Sequence, residues 1–252
     1  MFALKELDEL LRGTKASPEL LAKGTGHLHV GPYIVASIVL GMIYGVSMGL
    51  FAVLTRTPPC AIQMLSSALK VPALFFLTLV VTLPSLYVFS ALLGARLTLV
   101  DVLRLIIASL TISLIVLASL APITAFFTLN TVSYPFMKLL NVFFFAVAGV
   151  VGLEYLLRML RRREAMEESA ELVSRSEGDK DVIVLDEGER RSAGARAVFR
   201  VWLVLYAIVG AQMGWVLRPF IGSPKLEFEW FRAREANVFI DIMRTLGQLL
   251  GG

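Results

Sequence analysis

The chain alternates long apolar runs with short polar breaks. Residues 32–54, 71–93, 105–127 and 201–217 contain no Asp, Glu, Lys or Arg, and residues 136–157 contain only Lys138 and Glu154, near the two ends. About 20 apolar residues in helical form cross a ~30 Å hydrocarbon core, so each of the first four runs is long enough to span; the fifth is the shortest. The runs are continuously apolar rather than alternating, which predicts helices and excludes a β-barrel of alternating strands. Pro84 and Pro122 fall inside the second and third runs and are expected to kink them. The fold class expected is therefore all-α: a polytopic helical membrane protein of about five transmembrane helices with amphipathic helices at both ends.

The pattern divides the chain into five segments. Residues 1–30 carry Phe2, Leu4, Leu7, Leu10 and Leu11 at helical spacing, with Lys5, Glu6, Asp8, Glu9 and Arg12 on the other face. They read as an amphipathic cytoplasmic segment. Residues 31–157 hold four spans. Residues 158–197 form a charged loop, whose first half extends the fourth helix and whose remainder reads as mobile. Residues 198–217 hold the fifth span, where Trp202 and Trp215 suit the two membrane interfaces. Residues 218–252 form a turn-rich tail ending in an amphipathic helix on which Val238, Phe239, Ile242, Met243, Leu246, Leu249 and Leu250 recur at helical spacing.

Composition strengthens the membrane reading. Apolar residues make up 57% and charged residues only 17%, with a mean hydropathy of +0.75, against about half and a quarter in soluble domains. The net charge of +4 implies no nucleic acid, because its Lys and Arg cluster in loops. Sixteen of the 24 fall in the N-terminal tail, the 2–3 turn and the 158–200 stretch. The positive-inside rule then places the N-terminus in the cytoplasm and the C-terminus outside. Arg56 and Lys70 read as charges of the connection between the first two spans, on the opposite side. Modest size and a single cysteine lead us to expect a bacterial cytoplasmic membrane. Cys60 stands alone, which excludes an intrachain disulfide.

Few side chains suggest chemistry. Gly41, Gly45 and Gly49 lie four apart and form a flat stripe for close helix packing, within the chain rather than between copies. Ala146, Gly149 and Gly152 of the fourth span are the partner face expected for it. The span centres read as free of ionisable groups, which argues against ion-coupled transport. Asn141 and Gln212 are the polar side chains within spans, and an interhelical hydrogen bond is their ordinary use. Thr78, Thr82, Thr111, Ser113 and Ser119 are expected to bond their own helices. Arg161, Arg162 and Arg163 read first as a topology signal and second as a site for anionic lipid or a partner. Trp230, Phe231, Arg232 and Arg234 read as an interfacial anchor, with protein docking as the rival. His27 and His29 lack a third ligand, so no metal site is expected, and no catalytic or cofactor motif is present.

The stretch Leu93-Gly94-Ala95-Arg96-Leu97-Thr98-Leu99, followed by a long apolar span, resembles Yip1-like membrane proteins and uncharacterised bacterial multi-pass proteins over residues 30–155. That resemblance implies a non-enzymatic role in membrane trafficking or organisation. The function expected is accordingly a non-enzymatic scaffold, accessory subunit or membrane-organising factor. Its partners would be the lipid bilayer and either another protein or a second copy, met through the membrane helices. A transporter or channel component for an uncharged or apolar substrate is the alternative, with a cavity expected near Asn141, Pro84 and Pro122.

Overall fold

The computed structural model describes residues 30–56, 59–92, 99–176, 185–222, 228–231 and 238–251. The expected N-terminal amphipathic helix, along with Arg232 and Arg234, lies outside them. Six α-helices occur among the described residues: α1 (Val30–Thr55), α2 (Ala61–Leu92), α3 (Leu99–Asn130), α4 (Tyr134–Ser176), α5 (Leu185–Val216) and α6 (Val238–Gly251). Four are long and apolar enough to cross a membrane, over Val30–Thr55, Ala61–Ser85, Val100–Asn130 and Tyr134–Met159, and Val201–Val216 is a shorter apolar helix. The protein is an all-α polytopic membrane protein. Helices α2 and α3 remain helical through Pro72, Pro84 and Pro122.

Helix α1 packs between α2 and α3, α4 packs on α3 and also reaches α1, and α5 packs on α2. Side-chain contacts fix the registers. A Cβ at Gly41 would meet Pro72 at 3.1 Å, one at Gly45 would meet the Ala68 Cα at 2.7 Å, and one at Gly49 would meet the Met64 Cα at 2.5 Å. Helix α2 thus descends α1 residue for residue, and its backbone occupies the volume that side chains at these glycines would need. The stripe packs on α2, not on the expected fourth-span face. Gly152 instead faces α3, where its carbonyl accepts from Ser109 Oγ at 2.6 Å, and Gly149 meets nothing within 4 Å.

Helices α3 and α4 align with α1 by hydrogen bonds. Ser37 and Thr111 hydroxyls lie 3.0 Å apart, and Tyr44 donates to Asn141 Oδ1 at 2.7 Å. Nearer the Thr55 end of α1, the Phe51 and Tyr134 rings lie 6.4 Å apart. The Val30 end of α1 therefore shares its side of the bundle with Arg104 on α3 and Arg158 on α4. The Thr55 end shares its side with Asn130 and Tyr134.

The solvent is legible in what is buried. Ser37, Ser66, Ser67, Thr78, Thr82, Ser109, Thr111, Ser113 and Asn141 are buried, while Val35, Val39, Leu69, Val80, Phe126, Phe143, Val150 and Val204 are exposed. The interior is mostly apolar, with these hydroxyls set among Tyr44, Phe51, Leu105, Leu114 and Leu117, and the outer surface of the spans is apolar as well, which suits a hydrocarbon surround. The hydroxyls named from sequence do bond their own helices: Thr78 to the Leu74 carbonyl, Thr82 to Thr78, Thr111 to Ile107, Ser113 to Ser109 and Ser119 to Val116.

Two expectations need correcting here. Trp202 and Trp215 face protein and not lipid: both are buried, and Trp202 Nε1 donates at 3.1 Å to the hydroxyl of Ser85, at the end of the apolar stretch of α2. The first half of the 158–197 stretch continues α4 to Ser176 as expected, but helix also resumes at Leu185, where α5 begins well before the expected fifth span.

Candidate functional site: a buried lysine at mid-depth

By its place in the sequence Lys70 belongs to the connection between the first two spans. Structure places it elsewhere. The connection is short, α2 begins at Ala61, and the apolar part of α2 runs over Ala61–Ser85 with Lys70 inside it. Pro72 lies against Gly41 and Ala68 against Gly45, so Lys70 stands opposite the middle of α1. Only 4% of it is exposed. The expectation that no span centre holds an ionisable group is wrong on this point. It fails because the uncharged-run criterion pushes the second span to 71–93 and leaves Lys70 outside it.

Lys70 belongs to a stripe with Gln63 and Ser67, at i, i+4 and i+7 on one face of α2. All three grip the chain that leaves α5. Lys70 Nζ donates to the Pro219 carbonyl at 3.1 Å and to the Trp230 carbonyl, and stands 5.2 Å from the centroid of the Phe231 ring. Gln63 Nε2 donates to the Phe220 carbonyl at 3.0 Å and to that of Pro219 at 3.2 Å. The Ser67 hydroxyl donates to the same Phe220 carbonyl. Gly222, at φ +77°, fits a notch where a Cβ would lie 3.0 Å from Ala52 Cβ and 2.8 Å from Gln63 Cγ.

The chemistry follows from where α5 stops. Gly210 lies by Thr78 and Gly214 by Leu74, so the helix ends near Val216, close to the level of Lys70. Beyond it the chain passes Gln63 and reaches Ala52, near the Thr55 end of α1, without helical hydrogen bonds. Carbonyls freed at this depth cannot turn to water, and leaving such a group unpaired costs several kcal/mol. Lys and Gln supply donors without adding backbone, and the ammonium gains carbonyl oxygens and a ring face in place of its hydration shell. The stripe is a clamp on a non-helical strap.

The residues singled out from sequence are scattered relative to this clamp. Asn141 is 1% exposed, accepting from Tyr44 and donating to the Met137 carbonyl at 2.7 Å. Gln212 is half-buried on α5. Arg161 and Arg162 are exposed on the α4 extension, and the Arg163 side chain is outside the described set. Trp230 and Phe231 do reach the clamp, through a backbone carbonyl and a ring. Pro84 and Pro122, expected to line a cavity with Asn141, are both exposed and lie towards opposite ends of the bundle. Among the described residues no group of three His, Cys, Asp or Glu could hold a metal ion.

Sequence could have found the clamp. Only a few residues separate Thr55 from Ala61, which makes α1 and α2 antiparallel neighbours of equal depth, and the polar i, i+4, i+7 spacing is visible at 63, 67 and 70. The chain was compared with protein-family models, curated proteins and solved structures. None matches.

Proposed function

We propose that the protein is a non-enzymatic membrane scaffold or accessory subunit, with five crossings, a cytoplasmic N-terminus and an extracytoplasmic C-terminus. The observation that carries this reading is the use made of Lys70. An ionisable group within a span is by default a candidate for an ion or substrate path, yet here its donors hold carbonyls of the chain's own strap. Three other polar contacts of the core also join helices: Ser37 to Thr111, Tyr44 to Asn141, and Ser109 to the Gly152 carbonyl. Polar contacts of this kind, each worth about 0.6 kcal/mol in membrane interiors, favour one fixed arrangement of helices.

Orientation in this reading follows Arg158, Arg161 and Arg162, which lie on the Val30 side of the bundle and so make that side cytoplasmic. The fifth crossing is α5 for its first part and the clamped strap for the remainder.

Purification in a mild detergent tests the proposal. A stoichiometric partner, or a homo-oligomer of fixed size, is the expected result; a lone monomer would remove the scaffold reading. Cysteines placed at Ser67 and Asn141 in a Cys60→Ser background test the transporter alternative. They are expected to stay closed to aqueous maleimide, and rapid labelling at both would favour a water-filled path instead.

A further inference from the structure

Helix α6 docks by the wrong residues for a soluble amphipathic helix. Asp241 pairs with Lys138 of α4, and the Thr245 hydroxyl lies 3.0 Å from the same Lys138 Nζ. Thr245 is 4% exposed, whereas Met243 is 69% exposed and Phe239, Leu246 and Leu249 are exposed as well. At 3.6 residues per turn Phe239, Met243 and Leu246 share one face, Arg244 and Gln248 lie on the opposite one, and Asp241 and Thr245 flank that polar face on the side away from Arg244. Arg244 and Gln248 are also exposed. The helix thus presents a docked edge, an apolar side and a polar side.

Depth decides what covers the apolar side. Tyr134, one turn before Lys138, lies by Phe51, and Asn141, about one turn after it, bonds Tyr44. Lys138 therefore stands level with α1 residues between Tyr44 and Phe51, one turn inside the Tyr134 end of the apolar stretch of α4. The exposed apolar surface of α3 (Phe126, Leu129) lies at that end of the bundle, and that of α4 (Val142, Phe143) continues from it towards the middle. We propose that α6 is an interfacial membrane helix: its Phe239–Met243–Leu246 face lies among phospholipid acyl chains of the leaflet at the Thr55 end. Arg244 and Gln248 face the headgroups, and the Asp241–Lys138 pair moors the helix to the bundle. An amphipathic helix with basic and polar residues on one side and Phe, Met and Leu on the other settles into the boundary between headgroup and acyl chain in this attitude. The inference rests on the membrane assignment alone and stands or falls apart from the scaffold reading.

The test uses the full chain with Cys60→Ser, reconstituted in phosphatidylcholine–phosphatidylglycerol vesicles. Single cysteines at Met243, Leu246, Arg244 and Gln248 carry an environment-sensitive nitrobenzoxadiazole label. Labels at 243 and 246 are expected to be quenched about twofold by lipids brominated on the acyl chain and little by aqueous iodide, with the reverse at 244 and 248. Iodide quenching at 243 and 246 without bromolipid quenching would place α6 in water and overturn the proposal. Shielding of those two positions from both quenchers, lost on dilution into excess lipid, would overturn it in favour of a second copy covering the face.

Discussion

Gly45 and Tyr44 are neighbours with opposite tolerances. A methyl group at Gly45 would sit 2.7 Å from the Ala68 Cα, against backbone that cannot rotate away. Gly45→Ala is therefore expected to lower stability by about 1–3 kcal/mol, the usual cost of overpacking. Gly149, with nothing within 4 Å, is the control: Gly149→Ala should be neutral or gain up to about 1 kcal/mol from helix propensity. Thermal unfolding in detergent, followed by helical content, separates the two; equal midpoints would mean that the α1–α2 seam can open without cost. Tyr44→Phe removes one donor to Asn141 and should lose only about 0.6 kcal/mol. At this scale the glycine stripe is legible from sequence because its spacing alone makes a flat face. Its partner is not, since Ser67, Ala68 and Met64 carry no comparable mark.

Among the elements, α5 is the one whose behaviour sequence leaves open. Its apolar stretch is visibly short, and the reason lies in α2: Gln63, Ser67 and Lys70 supply donors to the carbonyls that a longer helix would have paired internally. If the clamp holds the strap, removing its charge should loosen what it covers. Ile221 is a buried residue of the strap itself and serves as reporter, as Ile221→Cys in a Cys60→Ser background. Lys70→Met keeps an apolar stem and deletes the ammonium. A charged hydrogen bond is worth about 1.5–3 kcal/mol, and ~1.4 kcal/mol is a tenfold change in an opening equilibrium. Maleimide should therefore label the thiol introduced at position 221 about tenfold faster in Lys70→Met than when Lys70 is retained. Equal rates would show that packing of Phe220 and Ile221 holds the strap unaided. The first, third and fourth spans are legible to within a turn or two because uncharged runs and apolar helices coincide there. The second is displaced because a lysine satisfied by carbonyls is, in composition, the same as a lysine in a loop.

For the whole molecule the question is on which side the chain finishes. Hydropathy counts crossings, but α5 stops near the depth of Lys70 and leaves two routes: out through the far side, or back along the near one. Contacts favour the first. Gly222 sits by Ala52 near the Thr55 end of α1, and α6 is moored to Lys138, which lies towards the same end. Arg158 and Arg161 follow the apolar part of α4 on the Val30 side. Residues 161 and 252 should therefore lie on opposite sides of the membrane, and the proposed orientation, with the arginine cluster retained in the cytoplasm, puts 161 inside. Single cysteines at Arg161 and at Gly252, with Cys60→Ser, make this measurable. In intact bacterial cells a membrane-impermeant maleimide should label position 252 and leave 161 unlabelled until the cells are broken. Labelling of neither before lysis would mean that the strap turns back and the chain crosses four times. Labelling of 161 alone would reverse the orientation while leaving every contact within the bundle as described, because helix packing carries no knowledge of which side is the cytoplasm.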